Sequence, residues 1–265
     1  MTRMKSPWRP SAFLTFSVVV STACVLLVAL KPALWSVGLF VLLADQAVLL
    51  GSGFVPRARL LGPNMSRLPR ADGPANRVAL TFDDGPDPEV TPFILEMLAK
   101  HHVKATFFCV GSRADANPDL VRAIAEAGHM LGNHSWSHTN AFWFLGPKRL
   151  AREVAMTQRV LEDLGGKIPS HFRAPAGIRS PLLDPLLARH ELALVSWTHR
   201  GFDTVARDPQ RILNRLINSL APGDILLLHD GSAARDTTGQ PVVLEVLPRL
   251  LNVLHERGLD PVPLP

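Results

Sequence analysis

The sequence predicts an α/β domain in which parallel strands alternate with helices, preceded by an N-terminal transmembrane helical hairpin. Two long apolar runs, 11–30 and 33–55, lie near the N-terminus, and from residue 77 onward short apolar runs alternate with segments of helical spacing. Repeated strand–helix units of this kind favour a parallel sheet or barrel with helices outside. We therefore expect a membrane segment over 1–56, a linker over 57–76 and one catalytic domain over 77–265.

The distribution of charge divides the chain at the same place. The formal net charge is +5, but eight of the 28 basic residues and only one of the 23 acidic residues lie within residues 1–70. That segment therefore carries +7 and the remainder −2, so the domain lacks the basic surface of a nucleic-acid-binding protein. With 47% hydrophobic and 19% charged residues, the chain also lacks the composition of a disordered protein. We expect no nucleic-acid partner.

The two apolar runs have the properties of membrane spans. The first is uncharged over 11–30 and would cover roughly 30 Å as a helix. Asp45 in the second run costs about 3 kcal/mol on insertion scales, and each surrounding Leu, Val or Phe offsets about 0.3–0.6 kcal/mol of this. A cleaved signal peptide leaves the second run unexplained, and Cys24 lies inside the first run, unlike a lipoprotein cysteine. A buried helical hairpin of a soluble protein is the remaining alternative, and it is disfavoured because the first run is apolar on every face.

Basic residues flank the hairpin and predict its orientation. Arg3, Lys5 and Arg9 precede it, Lys31 lies within it, and Arg57, Arg59, Arg67 and Arg70 follow it. The positive-inside rule places both flanks in the cytoplasm, so we expect a multi-pass protein of a bacterial-type inner membrane with its domain on the cytoplasmic side. If only the first run spans, the domain lies outside instead. In both cases the lipid bilayer is a predicted partner, whereas nothing in the sequence identifies a protein partner.

The alternation can be followed element by element after residue 76. Strands are predicted over 78–82, 105–110, 130–134, 172–174, 193–197, 225–229 and 262–264. Helices are predicted over 88–101, 118–127, 147–164, 182–190, 209–220 and 243–257. Asp87 and Pro88 are typical of a helix start, and Gly128 and the pair Gly165–Gly166 are typical of helix ends.

Five polar clusters follow predicted strands. They lie at 83–85, 134–138, 173–177, 197–203 and 229–230. In parallel α/β folds the chemistry collects at the carboxyl ends of strands. The coincidence of five clusters with five predicted strand ends indicates a single functional site.

Asp84, His134 and His138 have the residue types of a metal site. The two histidines are four residues apart, which on a helical turn places both imidazoles on one side. That spacing alone is a weak signal, and an aspartate after a strand often forms a turn or a helix cap. As a two-histidine, one-carboxylate set the three would leave a coordination position open, as catalytic zinc requires.

The remaining clusters contain candidates for proton transfer. Arg173 is either an ordinary surface arginine or, beside the acidic cluster, the ion-pair partner of Asp83. His229 follows four apolar residues of a buried strand, which is an unusual place for a structural histidine. Trp197 and Asp203 are weaker candidates, because tryptophan is usually a core residue and aspartate is common in turns.

In this order the clusters resemble the polysaccharide deacetylase family, also called carbohydrate esterase family 4 or the NodB homology domain. The matching segments are TFDDG at 81–85, HSWSH at 134–138, RAPAG at 173–177, Trp197 with Asp203, and LLLHD at 226–230. The resemblance covers about residues 75–265 and implies a distorted, incomplete (β/α) barrel of the NodB type. Ala176 stands where the family commonly has an aromatic residue, and the match around Asp203 is loose. Both departures bear on which substrate is bound more than on which reaction is catalysed.

The resemblance also implies an activity and a role for each residue. A divalent metal, usually Zn²⁺, would be held by Asp84, His134 and His138. Asp83 would be the general base with Arg173 as its partner, and His229 the general acid oriented by Asp203. The implied reaction removes an N-acyl group, usually acetyl, from an amino sugar of a polysaccharide, oligosaccharide or lipid-linked glycan. The alternatives are a deformylase of a lipid-linked amino sugar and a catalytically silent glycan-binding membrane module.

Overall fold

The computed structural model describes residues 8–69 and 76–265. Its helices are α1 (Ala12–Leu30), α2 (Trp35–Gly53), α3 (Thr91–Lys100), α4 (Gly111–Ala116), α5 (Pro118–Glu126), α6 (Pro147–Gly165), α7 (Leu183–Arg189), α8 (Pro209–Ile217) and α9 (Val242–Glu256). Its strands are β1 (Arg77–Asp83), β2 (Thr106–Cys109), β3 (Met130–Asn133), β4 (His171–Phe172), β5 (Ala193–Leu194), β6 (His199–Arg200), β7 (Ile225–His229) and β8 (Asp260–Val262).

The strands form one curled sheet in which every described strand pair is parallel. The strand order is β5-β4-β3-β2-β1-β7-β6, and β8 pairs with the start of β1. Central parallel strands are covered on both faces, which explains why β7 is continuously apolar before its final histidine and is buried along its whole length. The predicted α/β architecture, an incomplete parallel barrel, is confirmed.

The predicted strand over 193–197 extends only over Ala193–Leu194, and a separate strand that was not predicted follows at His199–Arg200. β5 pairs with β4 at one edge of the sheet, and β6 pairs with β7 at the other. Residues 195–198 cross the open side between these two edges, and the Thr198 N–H donates to the Ile225 carbonyl at 2.9 Å. The strand over 262–264 lies two residues earlier, at Asp260–Val262, and α4 was not predicted. Two-residue strands depend on their pairing partners more than on local composition.

The two N-terminal helices pack against each other across a single turn. Both are long and apolar enough to cross a membrane, and only 11% and 6% of the two apolar stretches are buried within the chain, so neither is a core helix. Ser17 is buried between the helices and donates a hydrogen bond to Asp45, the charged residue that opposes insertion. The flanking charges Arg3, Lys5 and Arg70 lie outside the described residues.

The described part of the predicted linker, 57–69, lies against the edges of the sheet. The Met65 N–H donates to the Leu194 carbonyl at 2.8 Å, and the Leu68 N–H donates to the Gly223 carbonyl at 2.8 Å. These bonds attach the segment both to the end of β5 and to the turn before β7. A stretch rich in proline, glycine and arginine thus gains its order from the domain it contacts.

The end of α2 also contacts the domain. The Arg179 N–H donates to the Gly53 carbonyl at 3.0 Å, and the Arg179 guanidinium lies 3.3 Å from an Asp184 carboxylate oxygen. The Phe54 ring meets the Trp143 ring edge to face, with centroids 4.5 Å apart. The helical hairpin is therefore joined to the loop that follows β4.

Candidate active site

The curled sheet brings the predicted clusters together at the carboxyl ends of its strands. Asp83 at the end of β1 is in register with His229 at the end of β7. On the other side of β1, Asn133 of β3 is paired with Phe172 of β4, so the residues that follow them, His134 and Arg173, are also neighbours.

Arg173 and Asp83 form a fully buried ion pair. Arg173 Nη1 donates to Asp83 Oδ1 at 2.6 Å and to Thr81 Oγ1 at 2.8 Å, and its Nη2 donates to the Ser196 carbonyl at 3.1 Å. The guanidinium also lies 4.1 Å from the centre of the Phe108 ring. Burying a guanidinium is costly unless it is paired and hydrogen-bonded, and these partners satisfy both requirements. Arg173 is thus an internal partner of the acidic cluster, not a surface arginine.

Asp84, His134 and His138 converge. Asp84 Oδ1 lies 3.2 Å from His134 Nε2 and 3.1 Å from His138 Nε2, and one ligand atom from each residue lies within 4.8 Å of the others. His134 Nδ1 lies 2.8 Å from the Arg173 carbonyl. Because a carbonyl only accepts, that nitrogen carries the proton and Nε2 is left free to act as a ligand. The donor types and their spacing fit a divalent cation.

The histidines converge through a loop, so the predicted helical turn was wrong. Ser135 and His138 have φ of 62° and 46°, which bends the segment back on itself. Glu153 of α6 accepts the backbone N–H groups of Trp136 at 3.0 Å and Ser137 at 2.8 Å. The sequence analysis did not identify this glutamate, and no local pattern distinguishes it from other acidic residues of an amphipathic helix.

His229 and Asp203 form a second buried pair. Asp203 Oδ1 lies 2.8 Å from His229 Nδ1, and Asp203 Oδ2 accepts the His229 backbone N–H at 2.8 Å. Burial by itself lowers the pKa of His229, but the charge and hydrogen bond of Asp203 outweigh it and the pKa is raised. Asp203, the less certain of the sequence candidates, is thus in direct contact with the histidine.

The Asp84 carboxyl has an environment that favours its charged form. Burial raises the pKa of Asp84, whereas His134 and His138 lower it when they are protonated, His134 through a hydrogen bond and both through their positive charge. The balance leaves the pKa well below its ordinary value. A ligand carboxylate must be deprotonated, so the site favours the form that a cation needs.

Asp230 is a buried residue to which the sequence analysis assigned no role. It accepts the Gly85 N–H at 3.1 Å and the Thr91 hydroxyl at 2.7 Å, and burial raises its pKa to about 7. A Cβ on Gly85 would collide with the Asp230 carboxylate. Asp230 therefore holds the turn that carries the acidic pair, and its position next to His229 is the signal that could have identified it.

The site opens into a cleft of about 380 Å³. Ala176 and Gly177 line one part of it, and Trp197, Arg200 and Val205 line another. Ala176 has a φ of 54° and presents no aromatic ring to the cleft.

A buried aspartate–arginine pair, a buried histidine–aspartate pair and converging metal-type donors at the open end of a parallel half-barrel are typical of a hydrolase site. The sequence model of the family described as "Polysaccharide deacetylase" matches residues 70–195. A chitooligosaccharide deacetylase of Sinorhizobium fredii is 35% identical over 197 residues, which cover 72% of this chain and 91% of that protein. The chain belongs to the polysaccharide deacetylase family, carbohydrate esterase family 4. It is a hydrolase of non-peptide carbon–nitrogen bonds in linear amides.

Solved structures share the fold. Peptidoglycan deacetylase PdaC from Bacillus subtilis has a TM-score of 0.63 and 30% identity, with 73% of this chain and 90% of that chain covered. A family 4 pseudoenzyme from Bacillus anthracis has a TM-score of 0.66 and 26% identity, with 76% and 66% covered. The predicted fold of the NodB type is confirmed. Since the same fold occurs in a deacetylase and in a pseudoenzyme, the fold alone does not establish activity.

The buried ion pair makes a prediction about stability. Arg173→Met leaves the Asp83 carboxylate buried without a counter-charge, and we expect the free energy of unfolding to fall by about 3–5 kcal/mol. Combining Arg173→Met with Asp83→Leu removes both charges and should recover most of this loss. Chemical denaturation of the full chain in detergent measures the effect.

The exposed pair of Arg122 and Asp119 on α5 provides a matched control. Arg122→Met should change the free energy of unfolding by less than about 1 kcal/mol. If the double variant is as unstable as Arg173→Met alone, lost packing and not the unpaired charge accounts for the cost.

Proposed function

We propose that this chain is a metal-dependent deacetylase that removes the N-acetyl group from an amino sugar of a membrane-associated glycan. The observation that carries the proposal is the convergence of two paired proton-transfer groups, Asp83 and His229, with the donor set of Asp84 and the two histidines in one cleft. The substrates named for its relatives, chitooligosaccharides and peptidoglycan N-acetylglucosamine, support an N-acetylated amino sugar.

Asp84, His134 and His138 would hold the metal, and their nitrogen and oxygen donors suit Zn²⁺. Such an ion, when bound, lowers the pKa of a coordinated water and polarises an amide carbonyl. A set of three protein donors is typical of catalytic metal sites, whereas closed structural sites have four.

Asp83 would accept the proton of the attacking water. Arg173 orients Asp83 through Oδ1, and Asp83 Oδ2 lies 3.7 Å from His134 Nε2, so this free oxygen faces the metal donor set. His229 would protonate the departing amine, because an unprotonated amine is a very poor leaving group. Asp203 binds the Nδ1–H of His229, and the proton to be transferred is therefore on Nε2.

The position of the cleft supports a substrate at the membrane. Gly177 on the cleft wall lies so close to Pro56, shortly after the end of α2, that an added Cβ would be 3.0 Å from its ring. With α1 and α2 as a membrane hairpin and the domain in the cytoplasm, the cleft lies near the bilayer surface. A lipid-linked or newly made glycan is then a better substrate than finished peptidoglycan.

Two substitutions test the catalytic roles. Asp83→Asn and His229→Ala should retain metal but lower turnover by about 10²-fold or more, since each removes a proton-transfer group. Metal analysis, with acetate release from N-acetylated oligosaccharides and from membrane lipid extracts, measures both properties. Asp119→Asn on the exposed face of α5 is the control and should leave turnover unchanged.

Other outcomes of the same assays distinguish the alternatives. Wild-type protein with neither metal nor activity would indicate a silent glycan-binding module, a possibility raised by the pseudoenzyme with the same fold. Release of formate instead of acetate would indicate a deformylase. Normal turnover in Asp83→Asn or His229→Ala would contradict the assigned roles.

The raised pKa of His229 predicts a pH dependence. The general acid must be protonated, so activity is present below the pKa of His229 and is lost as the pH rises through it. Asp203 raises this pKa, and Asp203→Asn should therefore move the alkaline limb of kcat/KM to lower pH. An NMR titration of the His229 ring should move in the same direction, and an unchanged limb would contradict the role of Asp203.

A reporter fused to the C-terminus tests the membrane topology. Two spans with basic flanks predict a cytoplasmic signal, so a fused green fluorescent protein should fluoresce and a fused alkaline phosphatase should be inactive. The reverse result would show that a single apolar helix crosses the membrane and that the domain faces outward.

A further inference from the structure

Arg200 places a cationic side chain in the wall of the cleft. It is the last residue of β6 and lines the cleft beside Trp197. Its guanidinium lies 5.5 Å from the centre of the Trp197 ring and 5.0 Å from that of Phe202. The two aromatic rings fix the position of the cation but cannot accept the in-plane hydrogen bonds that a guanidinium donates.

Among the residues that the structure describes, this guanidinium has no anionic partner. Its Nε is buried without a hydrogen-bond partner. Within residues 8–69 and 76–265, no carboxylate oxygen lies within 4.0 Å of it. Arg200 as a whole is only partly buried, so its guanidinium is open to the cleft and can bind an anion that enters it.

The two arginines among the described residues whose side chains are buried do have such partners. Arg173 pairs with Asp83, and Arg179 pairs with Asp184. Arg200 differs from both because it faces the cleft in which substrate would bind. The missing anion is therefore expected to arrive with the substrate.

We propose that Arg200 is a specificity-determining residue that binds an oxyanion on the substrate, next to the N-acetylated amino sugar. This inference rests on the proposed function and adds to it that the substrate is anionic. Phosphate and carboxylate both present the two oxygens that a guanidinium binds in bidentate fashion. A phosphate would join the sugar to a lipid, whereas a carboxylate would belong to a neighbouring sugar acid.

The experiment compares three forms of one N-acetylated chitin disaccharide: the neutral sugar, its 1-phosphate and its aldonic acid. The metal-loaded full-length enzyme in detergent should have a kcat/KM about tenfold or more higher for an anionic form than for the neutral one, through a lower KM. Arg200→Gln should abolish this preference. The anionic form that is preferred identifies phosphate or carboxylate as the recognised group.

Arg215→Gln is the matched control. Arg215 lies 5.1 Å from the centre of the same Phe202 ring but is not among the residues that line the cleft. The Arg215→Gln variant should keep the preference for anionic substrates. Loss of this preference in both variants would show that the effect comes from the packing of Phe202 and would overturn the assignment. A preference that survives in Arg200→Gln, with only the pH profile altered, would show that Arg200 acts as a general counter-charge and would also overturn it.

Calorimetric measurement of sugar binding to the wild-type protein, Arg200→Gln and Arg215→Gln tests this inference separately from the proposed activity. Any contribution of the metal to binding is the same in all three proteins. A Kd for the 1-phosphate or the aldonic acid that is about tenfold higher in Arg200→Gln alone therefore supports the assignment, even if no turnover is observed. Absence of turnover on every substrate would contradict the proposed function alone. Equal binding of neutral and anionic forms by wild-type protein would overturn the role of Arg200.

Discussion

The buried pairing of Arg173 with Asp83 is the constraint around which the site is built. An internal guanidinium must satisfy its donors, and Arg173 does so with a carboxylate on β1 and with the carbonyl of Ser196, in the segment that crosses the open side of the sheet. The same residue accepts the Nδ1–H of His134 through its backbone carbonyl. One arginine therefore fixes the orientation of the proposed base and the tautomer of a proposed metal ligand. It also requires the sheet to curl enough for Asp83 on β1 and the segment after β5 to reach the same guanidinium.

The two charge pairs of the site have opposite chemical consequences. Arg173 supplies a permanent positive charge to Asp83, which suits a group that is to accept a proton. Asp203 supplies a negative charge to His229 and raises its pKa, which suits a group that is to donate one. Hydrolysis of an amide needs both roles at once, since water must lose a proton and the amine must gain one. The fold meets this need by placing the two groups in register on adjacent strands, β1 and β7.

The sequence was sufficient to predict these strands and their reactive ends, because a buried parallel strand is a continuous apolar run and its end is marked by the first polar residues. It was not sufficient where distant contacts decide the backbone. The loop with His138 depends on Glu153, fifteen residues further along the chain. The short β6 exists because β7 offers it an edge, so the sequence placed Arg200 in a strand-end cluster without predicting the strand to which it belongs. The segment around Met65 has a loop-like composition, yet backbone hydrogen bonds to the domain order it.

The junction between the hairpin and the domain links the location of the protein to its proposed chemistry. A flexible tether would let the cleft sample many distances from a bilayer, and the anchor would then only raise the local concentration of enzyme. The bond from the Arg179 N–H to the Gly53 carbonyl and the contact between Pro56 and Gly177 instead join the end of α2 to the cleft wall. Under the proposed topology, the amide to be cleaved must lie close to the membrane surface. The proposed topology would therefore favour an amino sugar attached near a lipid carrier, so that an anionic group beside the sugar would lie within the same cleft.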